Sequence, residues 1–407
     1  MEPDETPPST TADPLPSAPD AGTLDAGSPD AGTPDAGVWD GGQPDDGGSS
    51  AINLDAGTQP PPSPVFAPAF HQALRWSVDV PEATTFRMKL PVSLAGRRLR
   101  VVFRAGDGPL TLLHASVAPA SAEGTPSAEP LPLTFAGQPG ATGPARALLE
   151  SDALPLAVTF NEELEITFSA TGALAQSAIN AFPGSLTAPG DQGSATLAGA
   201  TAYPLATGVA TVEVEAPPGP VFVAVGDSIT EGYTSGNDDF RKGWTHVLET
   251  ALHLPVVNAG VSGTGLVDEL TYLDGEVLSL DHVTDCVVLI STNDLALPAT
   301  RIETLYAQLI ARLQPFCRVW AGTLLPKERH DVPETRHAVN AWIRTQAKVA
   351  GVIDFEAAME AAPDDPDHFA PGLDEDGIHP TAKGYAVMGQ AAFDFLSANA
   401  LAPPGTL

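Results

Sequence analysis

Val221-Phe222-Val223-Ala224-Val225-Gly226-Asp227-Ser228-Ile229-Thr230 decides the reading of this chain. Five consecutive apolar residues closed by a glycine fit a buried strand. Gly226 permits a tight exit, and Ser228 then stands at the strand's carboxyl end, where open α/β sheets gather their chemistry. Far downstream, Asp376-Gly377-Ile378-His379-Pro380 sets an acid and an imidazole three positions apart. Together these residues supply a nucleophile, a base and an orienting carboxylate.

The sequence around this stretch alternates strand and helix. Strands are predicted at Val221–Val225, Pro255–Asn258, Cys286–Ile290, Cys317–Gly322 and Val352–Asp354. Helices are predicted near Gly243–Leu252, Arg301–Leu313, Pro333–Val349 and Ala382–Ala398. Asp331 with Glu334 fits a capping box, and Gly351 fits a stop for the third of these helices. Such alternation implies a parallel sheet with helices on both faces. Because parallel strands point the same way, the segments that follow them share one rim. Ser228, the Asn258–Gly263 segment, Asn293 after the third strand, and Asp376 with His379 all fall on such segments.

Upstream the pattern changes. Residues 66–216 read as all-β, with β-rich segments at Thr85–Leu90, Arg98–Arg104, Leu110–Val117, Ala157–Phe160, Leu164–Phe168 and Ala210–Glu215. Pro and Gly clusters separate them, which fits a sandwich or jelly roll. Packing against the second domain is the expected job. Residues 1–65 are low in complexity, with Asp20, Asp25, Asp30, Asp35, Asp40 and Asp45 at five-residue intervals. A segment so poor in apolar residues is expected to be a disordered, solvated spacer. The expected division is therefore 1–65 spacer, 66–216 β domain and 217–401 α/β domain.

The chain has 407 residues and a hydrophobic fraction of 43%, enough for more than one core. Its formal net charge of −32 excludes a nucleic-acid binder, which needs a basic face, and disfavours an anionic membrane surface. No apolar stretch has the length of a transmembrane helix. The start, Met1-Glu2-Pro3-Asp4-Glu5, lacks the regions of a signal peptide. A long acidic spacer suits a secreted or surface-tethered protein, so an export signal or lipid tether is expected upstream of residue 1. The two cysteines, Cys286 and Cys317, open two predicted strands. They read either as a disulfide at the lower end of the sheet or as two buried free thiols.

Acyl transfer from an ester needs a deprotonated hydroxyl, a base, and donors aimed at the developing oxyanion. Ser228 fits the nucleophile, His379 the base and Asp376 its orienter. The backbone N–H groups of Ser228 and Gly263, with the side-chain amide of Asn293, fit an oxyanion hole. Gly260 competes with Gly263 for the second position, and the spacing from Asn258 favours Gly263. Leu295–Pro298 is apolar and reads either as a pocket lining or as a cover for the sheet edge.

Gly226-Asp227-Ser228-Ile229, Gly263, Asn293-Asp294 and Asp376-Gly377-Ile378-His379-Pro380 stand in the order of the sequence blocks of GDSL esterases, or SGNH hydrolases, and residues 221–400 resemble that family. The resemblance implies a flavodoxin-like three-layer α/β/α domain that hydrolyses esters without metal or cofactor. The β-rich region ahead of it is similar to the arrangement in some secreted carbohydrate esterases. One block departs: Ser291 stands where the family usually has glycine. The expected function is a serine esterase acting on small acyl, above all acetyl, esters of small molecules or polysaccharides. Two alternatives remain: an acyltransferase to sugar hydroxyls using the same site, and a non-catalytic carbohydrate-binding protein of the cell surface.

Overall fold

In the computed structural model of this chain the described residues are 62–121, 126–193, 196–236 and 239–401. The expected spacer at 1–65 lies almost wholly outside them. The described residues belong to one compact unit.

The N-terminal half is built on five main strands: β1 (Val65–His71), β2 (Trp76–Val92), β3 (Leu99–Pro119), β4 (Glu162–Ala181) and β5 (Val209–Ala216). They join one antiparallel sheet in the order β1-β5-β3-β4-β2, with shorter strands along its margins. Instead of two separate facing sheets, the long strands run round the bend. The first part of β3 pairs with β5. Its second part pairs with β4, after a register break between Ala105 and Leu110. Such a break bends and twists a strand, so the sheet curls and encloses its own apolar face. Phe86, Phe103 and Phe168 meet inside it, with ring centroids 5.5 and 5.1 Å from Phe168. The expected strand at Ala157–Phe160 is absent; only Val158 makes an isolated bridge there, to Gly96.

The second half holds five parallel strands: β6 (Phe222–Gly226), β7 (Val256–Gly260), β8 (Asp285–Leu289), β9 (Arg318–Gly322) and β10 (Gly351–Ile353). Their order is β7-β6-β8-β9-β10, the flavodoxin-like order. The helices are α1 (Ser228–Glu231), α2 (Trp244–Leu252), α3 (Leu266–Glu276), α4 (Ala299–Leu313), α5 (Pro333–Arg344), α6 (Phe355–Met359) and α7 (Ala382–Asn399). Alternate strand residues feed two cores. Val223, Val225, Cys286 and Val288 pack with α3, α4 and α5. Phe222, Ala224, Val287 and Leu289 pack with α2, α6 and α7. This explains the unbroken apolar runs: both faces of the sheet are covered.

Three local expectations are corrected. The helix begun at Pro333 ends at Arg344, and Gly351 opens β10 instead of stopping a helix. No capping box forms, because Val332 holds the N-cap position. Asp331 accepts instead from the Val332 N–H and the Arg336 guanidinium. Cys286 and Cys317 are joined as a disulfide. Among the described residues no helix is long and apolar enough to cross a membrane.

The β domain packs on the edge strand of the parallel sheet. Gln72 bridges Asn258 in parallel register, and the Ala73 N–H donates to the Asn258 carbonyl at 3.0 Å. Arg75 and Arg104 both reach buried Glu276 at the end of α3, at 3.3 and 3.2 Å.

Candidate active site

Ser228 is the first residue of α1, at the point where β6 gives way to helix. Asp227 caps that helix, its Oδ1 accepting from the Ile229 N–H at 3.0 Å. The cap holds the turn open at the rim and leaves the serine hydroxyl free for another partner.

That partner is His379. Its Nε2 lies 2.9 Å from the Ser228 Oγ. Its Nδ1 lies 3.0 Å from Asp376 Oδ2. Asp376 Oδ1 is occupied by the backbone N–H groups of Ile378 (3.0 Å) and His379 (2.9 Å). Burial works to raise the pKa of Asp376. The N–H donors of His379 and Ile378, and the imidazole itself, outweigh burial and hold the carboxyl below its usual range. An ionised carboxylate only accepts, so Nδ1 carries the proton and Nε2 is left to accept from the serine.

The loop that carries this pair is fastened at several points. The N–H groups of Glu328 and Arg329 donate to the Gly377 carbonyl at 2.7 and 3.2 Å. The Ser235 N–H donates to Glu375 Oε2 at 2.5 Å. Tyr233 covers the imidazole, its ring centroid 4.1 Å from that of His379. Its own carbonyl accepts from the buried Tyr385 hydroxyl at 2.7 Å.

The segments after β7 and β8 come to the same rim. The Val261 N–H donates to the Gly226 carbonyl at 2.9 Å. The Leu266 N–H donates to Asp294 Oδ2 at 2.9 Å. Asn293 donates one amide hydrogen to the Thr264 carbonyl at 2.8 Å, which leaves its second hydrogen for another acceptor. Gly260 and Gly263 are now told apart. Gly260 is packed so tightly that a Cβ there would meet the Glu231 nitrogen at 2.3 Å. Gly263 has φ 78° and nothing within 4 Å of where a Cβ would stand, and its N–H finds no acceptor among the described residues. Ser291 has φ 103°, a conformation that favours glycine.

Two buried carboxyls flank the serine. Burial pushes Asp227 up to about 7, with the Asp294 charge adding to the rise. Burial likewise pushes Glu231 up to about 7, against hydrogen bonds from Ser177, Ser262, Ile179 and Ala178. The sequence places Glu231 beside Ser228 but gives it no role, and it does not single out Tyr233. Tyr233 is a single aromatic five places after the serine, a pattern with no periodic signal. Leu295 is buried in the core beside α4, whereas Leu297 stays exposed. Among the described residues no group of three or more His, Cys, Asp or Glu side chains is arranged to hold a metal ion.

Residues 224–387 match the model of the GDSL-like lipase/acylhydrolase family. Solved structures similar to this chain include the following three. One, from Desulfitobacterium hafniense, is assigned to the G-D-S-L lipolytic family: 22% identity, 43% of this chain, 99% of that one, TM-score 0.39. A family two carbohydrate esterase from Clostridium thermocellum, in complex with cellohexaose, shows 14% identity over 82% of this chain and 98% of its own, TM-score 0.38. An acetyl xylan esterase from Geobacillus stearothermophilus shows 18% identity over 44% of this chain and 94% of its own, TM-score 0.34. A comparison with curated proteins finds no match.

Proposed function

We propose that this chain, whose residues 224–387 form a GDSL-like lipase/acylhydrolase domain, is a serine esterase that removes small acyl groups, above all acetyl, from ester substrates including polysaccharides. The domain is a hydrolase of ester bonds; the substrate and the residue roles are the proposal. What carries it is the unbroken hydrogen-bonded series from Ser228 Oγ through His379 to Asp376.

In this reading His379 Nε2 takes the hydroxyl proton as Ser228 Oγ bonds to the ester carbonyl carbon. The carbonyl oxygen becomes negative and is met by the N–H groups of Ser228 and Gly263 and by the Asn293 amide. Collapse of this intermediate breaks the bond to the alcohol oxygen, which leaves with the proton from His379. An acyl-serine remains. Water then repeats the sequence: His379 takes its proton, its oxygen bonds to the acyl carbon, and Ser228 departs reprotonated. Asp376 stays ionised throughout and holds the imidazole while it is positively charged.

An extracellular site of action is part of the proposal. The Cys286–Cys317 disulfide supports it, since such bonds persist in oxidising surroundings. The acidic, Asp-Ala-Gly-Pro-rich composition of the N-terminal residues is consistent with it. The test is a panel of p-nitrophenyl esters of increasing chain length, run beside acetylated xylan with free acetate as the readout. Highest kcat/KM on the acetate ester and acetate release from xylan are expected. Preference for long acyl chains, or an inert polysaccharide, would overturn the acetyl and polysaccharide parts.

A further inference from the structure

Glu231 joins three things that the esterase reading treats separately. It is the last residue of α1, three positions after Ser228, and its side chain is buried. Oε2 accepts from the Ser262 N–H at 2.6 Å, immediately before Gly263. Oε1 accepts from the Ser177 hydroxyl and, at 3.4 Å, from the Ile179 N–H, both on β4 of the β domain. One carboxylate therefore ties the nucleophile's helix, the Ser262–Gly263 segment and the neighbouring domain together.

The strap is stiff on the β-domain side. Ser177 Oγ accepts from the Asn180 N–H at 2.8 Å, which directs its own hydrogen to Glu231. The Asn180 amide donates to Gln72 Oε1 at 2.6 Å, and Gln72 is where the β domain pairs with the sheet edge. On the other side Gly263 has little to hold it. Thr264 is anchored to the Val261 carbonyl at 2.7 Å, but the residue between the two anchors faces open space.

We infer that Glu231 is a positioning residue: through it, strand β4 of the β domain fixes the direction of the Gly263 N–H toward the ester oxygen at Ser228. The β domain is then a working part of the esterase and not an appended module. This rests on the reading of Gly263 as an oxyanion donor.

Two variants test it on the full chain. Glu231→Gln places an amide NH2 where one carboxylate oxygen was, so it opposes a donor on one side or the other. Ser177→Ala alters only the β domain. With p-nitrophenyl acetate, Glu231→Gln is expected to lower kcat about 10–100-fold and Ser177→Ala about 3–10-fold, with KM kept within about two-fold, as expected for lost transition-state contacts. Backbone hydrogen exchange at Ser262 and Gly263 should quicken in both. Wild-type kcat and wild-type exchange at these amides, with or without a lowered Tm, would overturn the inference. If Glu231→Gln does not fold, Ser177→Ala decides alone by the same two readouts. The esterase reading fails separately, if Ser228→Ala retains turnover; the exchange measurement still judges Glu231 in that case.

Discussion

The ring of Tyr233 lies over the imidazole of His379, with centroids 4.1 Å apart and planes inclined at 38°. Asp376 holds the imidazole at Nδ1, and Tyr233 limits its swing about that bond. Tyr233→Ala should lower kcat on p-nitrophenyl acetate about tenfold, because small errors in aim are costly in catalysis. Tyr233→Phe keeps the ring and should stay near wild type. Full activity in the alanine variant would show that the stacking does not position the base.

The disulfide joins residues 31 apart, at the end of the sheet remote from Ser228. Closing a loop of that length removes denatured-state freedom worth roughly 3–4 kcal/mol. Cys286→Ala/Cys317→Ala should therefore lower Tm clearly while each folded molecule keeps its ester turnover. An unchanged Tm would mean that the bond contributes nothing to stability.

Asp227 yields a stability–pH test. Its folded pKa of about 7 stands above the ordinary carboxyl value of about 4, because burial penalises the charged form. Between those values the folded state binds more protons than the unfolded one, so stability falls as pH rises and levels off above the folded pKa. Asp227→Asn removes that penalty. Its Tm should exceed wild type at pH 8.5, and the gain should shrink steadily toward pH 4. A difference independent of pH would contradict the assignment. Glu231 contributes a slope of the same sign in both proteins.

Ser291, at φ 103°, sits in backbone that costs a non-glycine residue about 1–3 kcal/mol. Glycine loses about 0.5–1 kcal/mol through its freer unfolded state. Ser291→Gly should thus stabilise by about 1 kcal/mol, read from urea midpoints. A lower midpoint would mean that the turn is not strained.

Much of this architecture is legible in the sequence because its cause is local. The strands of the parallel sheet are short apolar runs buried on both faces, and Ser228, Asp376 and His379, which the structure joins by hydrogen bonds, lie in short segments that the residue order picks out. What was missed depends on partners distant in sequence. Helix α3 carries Glu269 and Glu276 on its buried side, where Glu276 meets Arg75 and Arg104 of the β domain. Its apolar periodicity is broken by that pairing, so no helix is predicted there. Strand β1 contains Pro68, a residue that argues against a strand until β5 is seen to pair across a register shift beside it. The curl of the β domain follows from the break in β3 between Ala105 and Leu110, which no alternation pattern announces. Helix α5 ends at Arg344, whose guanidinium reaches Asp354 and Glu356 beyond the next strand.

The most direct measurement is p-nitrophenol release from p-nitrophenyl acetate by Ser228→Ala, with Tm recorded on the same sample. A fall of about 10⁴-fold or more at unchanged Tm is the expected result, since nucleophile, base and orienter act as a unit. Turnover near the wild-type rate in that variant would mean that the hydroxyl hydrogen-bonded to His379 is not the nucleophile.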